Sequence, residues 1–406
     1  MLKQEEKEQF SEILETLGET LDITEAQYDA VVSSYGAVGK WLAEAGTSLT
    51  LYKPEIRAQG SFMLGTMVRP INEKDDLDID LVCELTGKKA EWTQYDLKQV
   101  VGNRLNDHKT YEGMLKESRR CWTLKYADSA NYHMDILPSL VCNGYSLVLE
   151  KALSATALGK DYDSLAIRIT DNEQSGYFTD TVAENWMKSN PFGYGGWFYD
   201  RASIDMQKSM LLFDAVKPIP KYQKEKLPLQ RVIQILKRHR DMMFNGDEDK
   251  PISIIITTLA SSAYKKETSI IEALINAADN MGSYIESRFD PVSEKYIKWI
   301  ANPVNPEENF ADKWVEHPQR ETNFYKWLEQ VKQDIQSITQ QRGLHNISES
   351  MKKPFGEPTV TKVFSALGER NLNLRKSGAL KMAAGTGILS SVGAVAATSH
   401  NFHGND

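Results

Sequence analysis

The spacing of apolar residues changes near residue 200 of the chain. Up to that point several short runs alternate between apolar and polar positions, a period of two that is typical of β-strands. Beyond it apolar residues recur every three or four positions, as they do on amphipathic helices. A chain of 406 residues is also long for one domain. We therefore predict an α/β protein with a mixed-sheet core lobe over residues 1–200, a helical lobe over residues 201–375 and a flexible tail over residues 376–406.

The same pattern predicts individual elements. A long spine helix is expected to begin after Asp22 and Thr24, which are helix-capping residue types. Residues 95–107 predict a second helix, and residues 121–127, 131–140 and 165–170 predict strands. Residues 190–198, "NPFGYGGWF", are interpreted as a glycine-rich connection between the lobes. In the helical lobe, residues 227–244 and 323–338 predict amphipathic helices, whereas residues 250–264 fit a buried helix or a strand.

Acidic residues occupy every second position of one predicted strand. In "DLDIDLV", Asp76, Asp78 and Asp80 share one face, because alternate side chains of a strand point to the same side. Carboxylates this close repel one another unless a cation lies between them, which indicates a metal site. A solvated edge strand remains the alternative. An EF-hand loop does not fit, because its sixth position would be Leu81 and its twelfth Gly87.

Two neighbouring motifs strengthen the metal hypothesis. Gly60 and Ser61 form a predicted turn before a short helix, where backbone N–H groups and a hydroxyl suit a phosphate. Asp135 lies in the strand-like run "NYHMDILPSL", on the opposite face from its apolar residues. Two carboxylates on one strand and a third on another, beside a phosphate-holding turn, predict a two-metal site for phosphoryl transfer.

This arrangement resembles the nucleotidyltransferase superfamily of the DNA polymerase β type, which implies a two-lobed α/β fold. Five stretches within residues 57–315, including "QGSFMLGTMVRP", "DIDLVCEL" and "YHMDILPSL", look more narrowly like the CD-NTases, bacterial relatives of cGAS found in CBASS anti-phage systems. The resemblance implies an enzyme that makes a cyclic di- or trinucleotide second messenger from ATP, alone or with another NTP. It also implies regulatory or conjugating proteins that act on the C-terminal tail.

The resemblance further assigns residues. It implies that Asp78, Asp80 and Asp135 are catalytic and bind two Mg²⁺ ions, with Mn²⁺ as an alternative, and it leaves Asp76 as a flanking acid. Gln59, Gly60, Ser61, Lys237 and Ser253 are the implied substrate-binding residues. Without the resemblance, Lys237 fits a solvated cation and Ser253 a helix cap. His133 and His239 are interpreted as structural, because Asp135 and a metal already suffice to remove the proton of the attacking hydroxyl.

Composition narrows the partners and the compartment. The net charge is −8, the pI is about 5.6 and there is no long cationic run, so we expect no duplex nucleic acid as a partner. The uncharged residues 382–398 are few and rich in small side chains, which favours a tail over a membrane segment. Cys83, Cys121 and Cys142 are too few for a disulfide framework, and the N-terminus is charged from Lys3, so we expect a cytoplasmic protein with free thiols.

Two other functions remain open from the sequence. One is a template-independent nucleotidyltransferase that extends RNA or modifies a small molecule, against which the acidic composition argues weakly. The other is a catalytically inactive nucleotide-binding sensor or scaffold. The three predicted site carboxylates argue against it, because a protein that only binds has no need to hold like charges together.

Overall fold

A computed structural model describes residues 2–72, 76–126, 132–141, 162–204, 222–291, 293–390 and 393–397. The chain packs as two compact units. The helical unit comprises Met1–Asp22, Leu227–Ile300 and Phe310–Asp406, and the sheet unit comprises Ile23–Lys226 and Ala301–Asn309.

The described elements follow one another along the chain. Up to residue 202 they are α1 (Gln4–Leu21), α2 (Glu25–Leu42), β1 (Glu55–Ala58), α3 (Gly60–Met63), β2 (Leu77–Thr86), α4 (Gln94–Asn106), β3 (Leu115–Glu117), β4 (Trp122–Lys125), β5 (Tyr132–Val141), β6 (Ile167–Ile169), β7 (Lys188–Ser189) and α5 (Pro191–Ala202). From residue 228 they are α6 (Pro228–Phe244), α7 (Ser253–Ala263), α8 (Ile270–Asn280), β8 (Glu286–Asp290), β9 (Lys295–Trp299), β10 (Ala301–Asn302), β11 (Asn305–Asn309), α9 (Lys313–Glu316), α10 (Pro318–Gln340), α11 (Leu344–Phe355), α12 (Glu357–Lys376), β12 (Lys381–Met382), β13 (Leu389–Ser390) and β14 (Val395–Ala396).

The sheet unit is built on a mixed seven-stranded sheet. Its main path is β1-β2-β5-β4-β3, with β6 paired to β5 and β7 to β6. β2 and β5 run parallel over ten residue pairs, whereas the other pairings are antiparallel. The apolar positions of β2 and β5 are buried, and Ile79, Leu81, Met134 and Ile136 are completely so. The predicted α/β fold with a mixed sheet and a helical C-terminal region is confirmed.

The predicted spine helix is α2. Thr24 caps it: the Thr24 hydroxyl accepts a hydrogen bond from the Gln27 N–H, and the Gln27 side chain accepts one from the Thr24 N–H. The sequence interpretation missed the helix before it, α1. Its first turns are strongly charged, but Phe10, Ile13, Leu14 and Leu17 recur at helical spacing and are buried, so the signal was present.

The glycine-rich stretch after residue 190 is not the predicted connection, because it forms helix α5. The Asn190 side chain accepts a hydrogen bond from the Gly193 N–H at 2.9 Å, and Pro191 occupies the first turn. Packing requires glycine at position 196, because a Cβ on Gly196 would lie 2.5 Å from the ring of Tyr162. The glycines therefore allow close packing of a buried helix.

In the helical unit, residues 250–264 contain a helix, α7, and not a strand.

A buried ionic network joins α1 to α6. The fully buried Arg231 donates hydrogen bonds to Glu15 at 2.9 Å and Asp22 at 2.7 Å, and Gln234 donates to the other Asp22 oxygen. Pairing a buried guanidinium with two carboxylates in this way holds α1 against α6.

The segment predicted as a flexible tail contains three two-residue strands. β12 pairs antiparallel with both β13 and β14. The flexibility of this tail stays a prediction.

None of the described helices combines the length and apolar character needed to cross a bilayer. Cys83 and Cys121 are free thiols, and Cys142 lies outside the described residues.

Candidate active site

The acidic residues of β2 and β5 lie on adjacent strands. The parallel register places Asp78 beside His133 and Asp80 beside Asp135. Because alternate side chains share a face, all four point to the same side of the sheet, while the residues between them fill the core. The predicted third acid is therefore next to the predicted pair.

Three of these side chains offer ligand atoms to a common point. One atom each from Asp78, His133 and Asp135 lies within 4.8 Å of the other two. His133 Nε2 is 3.3 Å from Asp78 Oδ1, and this hydrogen bond raises the pKa of the imidazole. Thr123, from β4, donates a hydrogen bond to Asp135 Oδ1. Two carboxylates and an imidazole suit a divalent cation.

Asp80 is in close contact with the predicted phosphate turn. The Gln59 N–H donates a hydrogen bond to the Asp80 carbonyl at 2.9 Å, and Gln59 precedes α3. Gly60 adopts φ of 59°, in the left-handed region, and a Cβ at this position would lie only 2.4 Å from Asp80 Oδ2. Ser61 follows in α3 and is partly buried. Glycine is therefore required here both by backbone conformation and by the carboxylate.

The flanking acid Asp76 lies near the second ring nitrogen of His133, the one that does not contact Asp78. Its Oδ2 atom is 3.9 Å from His133 Nδ1 and 3.8 Å from Lys125 Nζ. The sequence interpretation treated His133 as structural and so missed its place in the acidic cluster. The signal was its position two residues before Asp135, which puts both on one face of the strand.

Lys237 and Ser253 belong to the helical unit, on α6 and α7, and their roles stay predictions. Lys237 is 5% exposed. Arg240, one turn further along α6, donates hydrogen bonds from Nη1 to Ser253 Oγ at 2.9 Å and to the Pro251 carbonyl at 3.1 Å. Sequence reasoning missed Arg240, although it lies three residues after Lys237 and so on the same side of the helix.

The contacts of His239 are those of a structural residue. Its Nε2 atom pairs with Asp334 at 2.9 Å, and its ring lies edge-on to the rings of Trp327 and Phe355.

A mixed sheet with carboxylates on two adjacent strands, beside a glycine turn, fits the polymerase β-type nucleotidyltransferase fold that the sequence resembles. Comparisons with known proteins agree. Residues 54–138 match the family model "Cyclic GMP-AMP synthase DncV-like, nucleotidyltransferase domain". The chain is 29% identical over 389 residues to a c-di-GMP synthase of Roseivirga ehrenbergii, and the match covers 94% of this chain and 93% of that protein.

A second relative is the cyclic dinucleotide synthase CdnG of Bradyrhizobium diazoefficiens, 21% identical over 394 residues, or 88% of this chain and 83% of that protein. The structure of CdnG in complex with GTP has the same fold, with a TM-score of 0.63 at 19% identity, covering 88% of this chain and 99% of that chain. Residues 54–138 thus match the nucleotidyltransferase domain of DncV-like synthases, and the chain is similar over most of its length to two cyclic dinucleotide synthases. The protein is a nucleotidyltransferase.

Proposed function

We propose that this protein is a metal-dependent cyclic dinucleotide synthase. The observation that carries the proposal is the placement of Asp78, Asp80 and Asp135 on one face of β2 and β5, with the Gly60 turn against Asp80. A binding-only scaffold has no need to hold carboxylates this close, and the two curated relatives, which span most of this chain, are both named as synthases of cyclic dinucleotides.

In this mechanism the ribose hydroxyl oxygen of one nucleotide attacks the α-phosphorus of another. The bond from that phosphorus to the bridging oxygen breaks, and pyrophosphate leaves. Asp135 accepts the hydroxyl proton, and Asp78 and Asp80 would hold the divalent cations. When bound, two cations, Mg²⁺ or Mn²⁺, offset the triphosphate charge and lower the pKa of the hydroxyl. A second attack, within the linear dinucleotide, releases a second pyrophosphate and closes the ring.

The backbone N–H groups and hydroxyl of the turn Gln59–Gly60–Ser61 are proposed to bind the triphosphate. Lys237 and Ser253 are proposed as further substrate-binding residues, as the resemblance implies. Arg240 holds the Ser253 hydroxyl, so we assign it the role of positioning that serine. These assignments rest on the family resemblance and on the local chemistry of each residue.

For the nucleotide we propose GTP, with c-di-GMP as the product. The relative with 29% identity is named a c-di-GMP synthase, and the CdnG structure contains GTP. ATP, the nucleotide predicted from the sequence, is tested as the alternative in the experiment described below. The biological role proposed from the resemblance is CBASS anti-phage defence, with control by proteins that act on the C-terminal tail and without activation by duplex nucleic acid.

The test is to incubate the full-length protein with each NTP, and with all pairs, in Mg²⁺ and separately in Mn²⁺. Products that resist phosphatase are then identified by mass spectrometry. We expect a cyclic dinucleotide from GTP. Products that are only linear, or nucleotides added to an RNA included in a parallel reaction, would contradict the proposal and favour a template-independent transferase.

Replacing Lys237 with alanine tests the role of the helical unit. Because a lysine that binds the triphosphate contributes about 1.5–3 kcal/mol of binding, we expect the KM for NTP to rise tenfold or more, with a smaller change in kcat. Steady-state kinetics measure this. Lys326→Ala, an exposed lysine on α10, is the matched control. A KM equal to that of the unmodified enzyme would return Lys237 to a structural role.

A further inference from the structure

We propose that His133 is a direct ligand of the cation in this site, that Asp76 orients its ring, and that the imidazole nitrogen gives the site a preference for Mn²⁺ over Mg²⁺. This inference rests on the proposed function only in taking the carboxylate cluster as the metal site.

His133 lies at the centre of the acidic cluster. Strand β5 lies between β2 and β4, and His133 is paired with Asp78 on one side and Lys125 on the other. Its two ring nitrogens meet different carboxylates, since Nε2 is 3.3 Å from Asp78 and Nδ1 is 3.9 Å from Asp76. The ring therefore lies between two carboxylates, with Nε2 directed at the acidic cluster and Nδ1 directed at Asp76, outside that cluster.

Asp76 has the features of that support. Metal-bound histidines commonly direct the second ring nitrogen towards a carboxylate, which selects the tautomer and fixes the ring. Asp76 Oδ2 is shared between His133 Nδ1 and Lys125 Nζ, so the lysine holds the carboxylate from the far side. This accounts for the third acid of the "DLDID" run, which the phosphoryl-transfer reaction itself does not use.

A purely structural histidine in this chain looks different. His239 is buried, with 4% of its side chain exposed, and its ring lies beside Trp327 and Phe355. The His133 side chain is 27% exposed and lies on the face of the sheet that carries the acids. One of its ring nitrogens lies within 4.8 Å of ligand atoms from both Asp78 and Asp135.

The nitrogen decides the choice of cation. Mg²⁺ is a hard ion that takes oxygen ligands almost exclusively. First-row transition ions accept imidazole as well as carboxylate, and Mn²⁺ is the member of that series closest to Mg²⁺ in its use of oxygen ligands. One nitrogen added to a set of carboxylates should therefore raise the affinity for Mn²⁺ and leave the affinity for Mg²⁺ nearly unchanged.

The experiment uses Mn²⁺ alone, on the full-length protein without nucleotide. Electron paramagnetic resonance titration gives the Mn²⁺ Kd, Mg²⁺ competition gives the Mg²⁺ Kd, and pulsed measurements detect ¹⁴N coupling to the bound ion. We expect ¹⁴N coupling in the unmodified protein. His133→Gln should remove it and raise the Mn²⁺ Kd about tenfold or more, with less than a threefold change for Mg²⁺. Asp76→Asn should keep the coupling and raise the Mn²⁺ Kd.

Two further variants make the outcome decisive. His345→Gln, at an exposed position of α11, should change nothing. His133→Asp exchanges the nitrogen for an oxygen, so it should lower the ratio of Mn²⁺ to Mg²⁺ affinity, whereas a folding defect would weaken both ions alike. Absence of ¹⁴N coupling in the unmodified protein, or its persistence in His133→Gln, would overturn the inference.

These results are independent of product formation. A protein that shows ¹⁴N coupling but makes no cyclic product supports His133 as a ligand and rejects the proposed function. A protein that makes the product without ¹⁴N coupling supports the proposed function and rejects His133 as a ligand.

Discussion

Asp78→Asn and Asp80→Asn are each expected to lower the rate of product formation about 1,000-fold or more, which corresponds to ~4 kcal/mol of transition-state stabilisation. Each exchange removes a negative charge from the cluster that is proposed to hold the cations. The fold should persist, because the Asp78 side chain is 63% exposed and loss of one like charge relieves repulsion. The initial rate of pyrophosphate release and the melting temperature are the measurements.

Asp29→Asn is the matched control for this pair, since Asp29 is an exposed aspartate of the same unit, on α2. It should retain full activity. Near-normal turnover in either site variant would show that the metal assignment is wrong, and a fall in melting temperature that accounts for the loss of activity would assign the residue to the fold instead.

Gly60→Ala is expected to lower the rate about 100-fold although it adds only a methyl group. The new Cβ would lie 2.4 Å from Asp80 Oδ2, so either the carboxylate or the turn must move, and a displacement of about 1 Å in a reacting group costs roughly this factor. The positive φ adds a cost of about 1–2 kcal/mol to stability. Turnover and the free energy of unfolding should be measured together.

Gly46→Ala separates the two effects. Gly46 has φ of 83°, and no described atom lies within 4 Å of a Cβ at that position. This variant should therefore show the same loss of stability with activity preserved. If both glycine variants lose activity equally, backbone strain is responsible and the contact with Asp80 is not.

The candidate site was predictable to the extent that its residues follow local rules. The alternation of acids with Leu77, Ile79 and Leu81 is enough to place Asp78 and Asp80 on one face of a strand. The turn at Gly60 was recognised from its residue types, but its contact with the Asp80 carboxylate depends on antiparallel pairing of β1 with β2, across about twenty residues of intervening chain.

Errors arose where packing overrides composition. Glycines and aromatic residues after Asn190 indicated a connection, yet α5 forms because its cap is satisfied and its small residues let Tyr162 approach. The charged start of α1 concealed a helix whose apolar face is buried, and whose position is secured by Arg231 from far along the chain.

Backbone periodicity and residue type alone indicate which residues of a strand share a face, where several of the helices and strands occur and which side chains are candidates for the chemistry. Tertiary packing was needed to bring Asp80 beside Asp135 and Asp78 beside His133, and to bind Arg240 to Ser253. These neighbours were not predictable because β2 and β5 are about fifty residues apart in the chain. Their register depends on the burial of both strands against a common core, and no local pattern encodes which residues then become neighbours.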